Sequence, residues 1–351
     1  MKTLRPILGL ATFLMLTANA PAQVSPAPPA TPTPQPSTTP AAKPKAKAAA
    51  PVAAPKPAAT STPAATVTPA PAPDDPNVDL VYGAYQRGLY KTAFDLATKR
   101  VQQNGDPKAM TMLGELYANA FGVKRDDARA AEWYKRAADS GDREAMFELA
   151  MLRFAGRGGP VNREEAAKLL ASSAKLGNPK AAYNLALLYL DGETLPQDLR
   201  RCAELFRIAA DAGSPEAQYA LATFYKEGTG VPKDPEKAAR LLQAASIGGN
   251  VDAEVEYAIA LYNGTGTPKN EVAAMTLLRR AARQNNPIAQ NRLARVLANG
   301  TPADRVEALK WHTIAKTAGK GDPELDVALE KLGPEDRAKA EDGARKWLGV
   351  K

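Results

Sequence analysis

A unit of 36 residues, exemplified by Ser214 to Gly249, recurs along the chain and constrains its fold more than any other feature. Serine followed by proline is typical of a helix start, because serine caps free backbone N–H groups and proline at the first helical position loses no hydrogen bond. We expect this first helix to end at Glu227. Its apolar residues keep helical spacing along one face, and they are Ala217, Leu221, Phe224 and Tyr225.

The remainder of the unit predicts a loop and a second helix. Glycine adopts backbone angles that other residues resist, and the loop residues are Gly228, Gly230 and Pro232. Asp234 before Pro235 predicts another capped helix start, and Gly249 is expected at the C-cap. The buried face of the second helix is expected to hold Ala238, Leu241, Leu242 and Ala245.

Six copies of the unit can be aligned, which is a period that chance seldom sustains. The copies begin at Asp106, Asp142, Asn178, Ser214, Asn250 and Asn286, and the last copy is two residues shorter than the others. The second helix pairs a small residue with a large one three positions later, a combination that lets helices pack closely. The large residues are Trp133, Leu169, Leu205, Leu241, Leu277 and Trp311.

The shared pattern A-x-x-x-L-[GA]-x-x-Y-x-x-G-x-G-V-P-x-D-x-x-x-A-x-x-[LW] resembles the Sel-one-like repeat, a member of the tetratricopeptide superfamily. The resemblance implies an all-α fold, a right-handed α-solenoid of about six helix-turn-helix repeats closed by helical caps. Ala120, Thr194 and the short loop over residues 299–304 depart from the pattern. We therefore expect different loop conformations at these three places.

Residues 1–22 have the features of a secretory signal peptide. Lys2 and Arg5 precede an apolar run over residues 7–16, and small residues lead to a cleavage site after Ala22. The run is too short to cross a hydrocarbon layer of roughly 30 Å, and no cysteine lies near the site to carry a lipid. The sequence therefore predicts a periplasmic or secreted bacterial protein with no transmembrane anchor after cleavage.

Residues 23–77 predict a disordered linker rich in proline and alanine. Between positions 21 and 77 there are 17 prolines, so the segment cannot bury a core and favours extended backbone. Its four lysines allow weak contact with anionic envelope surfaces. The remaining boundaries are an N-terminal capping half-repeat at 78–105, the six repeats at 106–319 and a C-terminal helical cap at 320–351.

The net charge of +8 gives no indication of a nucleic-acid partner. Residues 1–77 hold six basic and two acidic side chains, and the rest of the chain holds 40 basic against 36 acidic ones. Half of the excess therefore lies outside the repeats, and an export signal also argues against nucleic-acid binding.

The sequence offers no catalytic residue, cofactor site or metal site, so we expect a protein that is not an enzyme. His312 and Cys202 are the only histidine and the only cysteine, and both occupy repeat positions held elsewhere by packing residues. Some secreted relatives of the resembled family carry paired cysteines and are linked to β-lactam-type compounds, and this chain lacks the pairs. The recurrent polar residues before the second helices are interpreted as N-caps, and they are Asp126, Asn162, Asp198, Asp234 and Asn270.

A second apolar stripe on the first helices is the candidate binding surface, and we call it the second stripe. Its proposed partner-binding residues are Phe147, Met151, Phe154, Tyr183, Leu187, Leu190, Tyr219, Ile259 and Tyr262. At 100° per residue they lie roughly opposite the packing stripe, on the side that faces the concave groove in tetratricopeptide arrays. An aromatic groove suits an extended peptide or a partner's helix. Alternatively, neighbouring repeats bury the second stripe.

The functional prediction is an exported repeat scaffold that mediates protein–protein or peptide binding through its concave face, in cell-envelope processes. Two alternatives remain open at this stage. One is an envelope enzyme, or enzyme subunit, acting on peptidoglycan or related compounds, which requires acidic or histidine groups that converge in the groove. The other is a purely structural spacer, which a polar groove would favour.

Overall fold

The computed structural model describes residues 79–349, and the predicted signal peptide (1–22) and linker (23–77) lie outside this range. The described residues form sixteen helices and no strand. The helices are α1 (Leu80–Gln86), α2 (Tyr90–Asn104), α3 (Pro107–Asn119), α4 (Asp127–Asp139), α5 (Arg143–Ala155), α6 (Arg163–Lys175), α7 (Pro179–Asp191), α8 (Leu199–Asp211), α9 (Pro215–Glu227), α10 (Pro235–Ile247), α11 (Val251–Asn263), α12 (Glu271–Arg283), α13 (Pro287–Leu297), α14 (Pro302–Thr317), α15 (Pro323–Leu329) and α16 (Pro334–Leu348).

Helices α3 to α14 form the six predicted helix pairs of an all-α solenoid. The odd-numbered helices from α3 to α11 each contain 13 residues and begin 36 residues apart. From α1 to α14 each helix contacts the next helix along the chain, and α16 returns to contact α14. Helices α1 and α2 precede the repeats, and α15 and α16 follow them.

The helix starts follow the predicted capping chemistry. The Ser214 hydroxyl accepts a hydrogen bond from the Ala217 backbone N–H at 3.2 Å, and α9 ends at Glu227 as expected. All five predicted caps of the second helices accept a backbone N–H in the same way. The end of α10 lies earlier than expected: Gly248 is the C-cap with a φ of −70°, and the left-handed residue is Gly249, one position later.

The residue that directly follows the first helix of a repeat needs a left-handed backbone, which glycine adopts without strain. Gly228 and Gly264 have φ angles of 79° and 71°. The expectation of a different conformation at Ala120 is wrong, because Ala120 takes the same left-handed form with a φ of 59° and its N–H bonds to the Leu116 carbonyl. The shortened loop of the sixth repeat does differ, since α13 ends at Leu297 and its C-cap Ala298 stays right-handed.

The second loop glycine allows neighbouring repeats to approach closely. A Cβ atom on Gly230 would lie 2.2 Å from the Leu199 carbonyl oxygen at the start of α8 in the preceding repeat. A Cβ on Gly266 would lie 2.0 Å from the Pro235 carbonyl oxygen in the same manner. The third repeat has Thr194 at this position, and there the neighbouring Glu193 forms an ion pair of 3.3 Å with Arg163 of α6. These loops position successive helix pairs against one another.

The core runs along the array, where alanines from one helix meet larger side chains from the next. Ala217, Leu221 and Phe224 of α9 are buried, as are Ala238 and Leu242 of α10. The predicted large residues of the second helices, such as Leu205 and Leu241, are only half-buried, except for the buried Trp311. The large side chains one position later are buried in all six repeats, and they are Tyr134, Leu170, Phe206, Leu242, Leu278 and His312.

Candidate functional site

The second stripe lies along α5, α7, α9 and α11, and none of its nine proposed binding residues is fully exposed. Phe147, Phe154 and Leu187 are buried, with 8%, 9% and 4% of their surface accessible. The other six are half-buried, and they are Met151, Tyr183, Leu190, Tyr219, Ile259 and Tyr262. The stripe therefore combines a buried base with a partly accessible row of apolar side chains.

The middle of the second stripe rests on the core of the third and fourth repeats. The Tyr183 ring lies 5.6 Å from the Phe206 ring, which in turn lies 5.6 Å from the Phe224 ring. Burial raises the pKa of the Tyr183 hydroxyl, with a smaller contribution from the Glu216 carboxylate. Met151 and Leu190 contact the same hydrophobic cluster. These contacts fix the side chains while leaving part of each surface free.

Lysine side chains border the second stripe at both ends. The Lys180 ammonium lies 5.9 Å from the centre of the Phe147 ring, and Lys269 lies 5.8 Å from that of Tyr262. Between these ends, burial and the nearby Glu256 carboxylate raise the pKa of Tyr219 to about 12, so its hydroxyl stays protonated at neutral pH. The stripe therefore offers neutral rings and aliphatic chains with positive charge at its margin.

An acidic and aromatic cluster, which the sequence analysis missed, lies where the second stripe reaches the first repeat. We call it the acidic cluster, and its members are Tyr85, Glu115, Tyr134 and Glu148 on α1, α3, α4 and α5. The Tyr85 hydroxyl donates a 2.5 Å hydrogen bond to Glu115 Oε1. Glu115 occupies the repeat position of Met151 and Ile259. That change from an apolar to an acidic residue was the available sequence signal.

His312 and Cys202 are both in the core, as the sequence predicts. His312 is 2% exposed, and its Nε2 lies 2.8 Å from Asp326 Oδ1 of α15. This partner was not foreseen, since α15 belongs to the cap and not to the repeat pattern.

The Cys202 thiol donates a hydrogen bond to the Ala186 carbonyl oxygen at 3.2 Å, and burial raises the pKa of the thiol to about 12. A thiol held in this protonated form is a poor nucleophile.

Two further properties concern only the part of the chain from 79 to 349. In that part, no three histidine, cysteine, aspartate or glutamate side chains converge in a way that could hold a metal ion. In the same residues, no helix has both the length and the apolar character needed to cross a membrane.

Solved structures with a similar fold include two bacterial proteins. One is a protective antigen of uropathogenic Escherichia coli strains that displays an SLR fold, with 25% sequence identity and a TM-score of 0.64. The match covers 77% of the present chain and 61% of the antigen. The chain thus spans less than two thirds of that antigen. The other is a Sel1 repeat protein from Oxalobacter formigenes, with 26% sequence identity and a TM-score of 0.57. That match covers 68% of the present chain and 98% of the Oxalobacter formigenes protein. No curated protein matches the chain.

Six consecutive segments match the Sel1 repeat: residues 107–142, 143–178, 179–214, 215–250, 251–286 and 287–320. Together they cover more than half of the sequence, and they coincide with the six helix pairs from α3 to α14. The chain therefore belongs to the Sel1 repeat family, whose members are tetratricopeptide-like α-solenoids that generally serve as scaffolds for protein–protein interaction.

Proposed function

We propose that this protein is an exported, non-enzymatic scaffold that binds an apolar peptide segment along the second stripe, in processes of the bacterial cell envelope. The observation that carries the proposal is the row of six half-buried apolar residues along four consecutive first helices. The family supplies the expectation of a protein partner, and the concave groove of related arrays supplies the expected surface. A purely structural spacer would not need such a row.

The packing of the second stripe suits binding because it restricts the free side chains before a partner arrives. Tyr183 is held against Phe206, and Tyr219 contacts the cluster formed by Ala222, Leu242 and Ala245. Ordering a mobile side chain on binding costs about 0.5–1.5 kcal/mol, so side chains that are already ordered lose less. Half-buried tyrosine and leucine are thus favourable contact residues for an apolar segment.

The proposal is tested by selecting ligands from a random peptide library displayed on phage, with the full chain as bait. The affinity of recovered peptides is then measured by calorimetry for the wild type and for Tyr183→Ala and Leu190→Ala. We expect at least tenfold weaker binding in both variants, because each removes apolar contact surface. Recovery of no peptide, or unchanged affinity in both variants, would contradict the proposal.

Matched controls are available on the second helices. Ile247 and Val272 are 81% and 80% exposed and lie outside the second stripe. Ile247→Ala and Val272→Ala remove similar apolar atoms and should leave peptide affinity within twofold of the wild type. Phe147 and Phe154 are unsuitable for this comparison because truncating a buried phenylalanine costs roughly 3–5 kcal/mol of stability.

Export is the second part of the proposal and rests on the sequence of residues 1–22. A reporter that is active only outside the cytoplasm, fused to the full chain, should give a signal. N-terminal sequencing of the exported protein should begin near Gln23. Material that retains Met1 would contradict signal-peptide cleavage.

A further inference from the structure

A groove between α8 and α10 lies apart from the second stripe and holds an excess of positive charge. Its volume is about 290 Å³, and three exposed cations line it: Arg207 from α8, and Lys237 and Arg240 from α10. The rest of the lining consists of one carboxylate and three largely apolar side chains, which are Asp211, Leu221, Tyr225 and Leu241. No residue of the second stripe takes part, so the groove is a separate candidate site.

The buried Tyr225 side chain positions two of the three cations. Arg207 Nη2 donates a hydrogen bond of 3.4 Å to the Tyr225 hydroxyl, and the Lys237 ammonium lies 5.3 Å from the centre of the Tyr225 ring. A guanidinium carries several N–H donors, so this one bond leaves most of those of Arg207 available to a ligand. The two cations are thus held on either side of one ring.

The carboxylates near this groove do not neutralise it. Asp211 follows Arg207 by one turn of α8, and within the described part of the chain it forms no ion pair with either arginine of the groove. Asp234 caps α10, where it accepts the Lys237 backbone N–H at 2.9 Å and lies 3.0 Å from the Lys237 ammonium. Over the same described residues, Arg207 and Arg240 have no acidic partner.

The equivalent groove between α12 and α14 shows which group is missing. There Arg279 occupies the repeat position of Arg207, and its Nη2 donates a hydrogen bond of 3.0 Å to Glu307. Glu307 occupies the repeat position of Lys237, once the shorter sixth repeat is taken into account. A carboxylate that pairs with arginine across one groove is therefore replaced by an ammonium in the other.

The groove between α4 and α6 gives a second instance of this pairing. Glu165 of α6 occupies the repeat position of Lys237, and its Oε2 lies 3.1 Å from Arg153 Nε of α5. Arg153 in turn occupies the position of Tyr225. In both of these grooves the position of Lys237 holds a carboxylate, and an arginine from another helix contacts it.

We propose that the groove between α8 and α10 binds a carboxylate side chain from an acidic segment of a protein partner. Arginine and carboxylate form charge-assisted hydrogen bonds, often in bidentate geometry. The bound carboxylate would lie between Arg207 and Lys237, as Glu307 lies beside Arg279. The Lys237–Asp234 pair can yield to it because both side chains are partly exposed, and such pairs contribute little. This site does not depend on ligand binding at the second stripe.

The test is an NMR titration of the full chain with a capped peptide of three glutamates, with a capped peptide of three glutamines as the neutral control. The Arg207 Nε–H signal, assigned with Arg207→Gln, should shift with the glutamate peptide only. The Arg279 Nε–H signal should stay in place, because Glu307 already pairs with Arg279. An Arg207 signal that does not move, or that moves equally with both peptides, would overturn the proposal and leave the second stripe untouched.

Lys237→Glu supplies the missing carboxylate from within the chain. Lys237 is the third residue of α10 and Glu165 is the third residue of α6, so a glutamate is compatible with this helix start. The variant should melt no lower than the wild type and bind the glutamate peptide at least tenfold more weakly, because Arg207 then has an internal partner. Unchanged affinity would contradict the proposal.

Two further variants keep this comparison decisive. Arg207→Gln removes the principal donor and should also weaken peptide binding at least tenfold, which tests the site even if Lys237→Glu fails to fold. Lys168→Gln is the matched control, since the exposed Lys168 occupies the position of Arg240 in the groove between α4 and α6. It should stay within twofold of the wild type, and a loss equal to that of Arg207→Gln would show that only overall charge attracts the peptide.

Two small anions separate the sources of negative charge. Glutarate presents carboxylates without a peptide, and inorganic phosphate presents a different anion. The glutamate peptide should bind at least threefold more tightly than either, because a second carboxylate on the same chain can reach Arg240, one turn after Lys237 on α10. Equal or tighter binding of glutarate or phosphate would overturn the assignment to an acidic segment.

Discussion

At the scale of single residues, Ala120 shows how strongly the array imposes a local conformation. Four of the other five repeats have a left-handed glycine at this position, and Ala120 adopts the same form with a φ of 59°. A non-glycine residue in this region is strained by roughly 1–2 kcal/mol. The strain is tolerated because the loop is tied at both ends, through the bonds from Ala120 N–H to Leu116 and from Asp126 N–H to the Tyr117 carbonyl.

The first prediction is that Ala120→Gly stabilises the protein by about 0.5–1 kcal/mol. Glycine removes the strain, and part of that gain is offset because glycine makes the unfolded chain more flexible. The reverse change, Gly264→Ala, is the matched control and should lower stability by about 1 kcal/mol. Chemical denaturation measures both values. An Ala120→Gly protein that is less stable than the wild type would show that the loop is not strained.

At the scale of the elements, the second loop glycine joins one repeat to the next. Gly230 lies against the first turn of α8, where a Cβ would meet both the carbonyl oxygen and the carbonyl carbon of Leu199, at 2.2 and 2.6 Å. Real Cβ atoms do not approach backbone so closely, so either the loop or the helix must move. This requirement explains the glycine better than its φ of 67° alone.

The second prediction follows from this close approach. Gly230→Ala should destabilise the protein by roughly 2–4 kcal/mol, because a steric clash is added to the backbone strain. Gly228→Ala is the matched control, since its added Cβ would meet only Lys233 at 3.3 Å, and it should cost about 1 kcal/mol. Thermal or chemical melting separates the two. Equal losses would mean that the repeats can slide to accommodate the methyl group.

The same elements show what the sequence can and cannot predict. Helix starts and ends follow local chemistry. The N-cap of α9 at Ser214 and its last residue, Glu227, could therefore be predicted from residues within one unit. Contacts between repeats depend on residues far apart in sequence, so the approach of Gly230 to Leu199 was not predicted. The acidic cluster was missed for the same reason, because the helices that supply it extend from the N-terminal cap to the second repeat.

The depth of the second stripe was also beyond the repeat pattern. The pattern places Phe154 and Leu190 at equivalent positions, yet Phe154 is buried and Leu190 is half-buried. Their accessibility depends on which side chains the next repeat contributes. The sequence therefore predicted the row of apolar residues and left open how much of each one reaches the surface.

At the scale of the whole molecule, successive helices provide the principal contacts of the array. In such an array, stability is approximately the sum of the repeats and their nearest-neighbour interfaces. The ends are closed differently, by α1 and α2 before the repeats and by α15 and α16 against α14. At the C-terminal end the Trp311 and Trp347 rings meet at 5.2 Å. A long surface such as the second stripe is a consequence of this arrangement.

The central claim is that a peptide binds along the second stripe, and the methionine methyl groups test it most directly. Met151 is half-buried on the stripe, while Met146 on the same helix contacts a different hydrophobic cluster and Met275 lies on α12. In the full chain labelled with ¹³C at its methionine methyls, a saturating peptide from the phage selection should shift the Met151 signal and leave Met146 and Met275 in place. A Met151 signal that does not move at saturation, while Met146 or Met275 does, would contradict the claim.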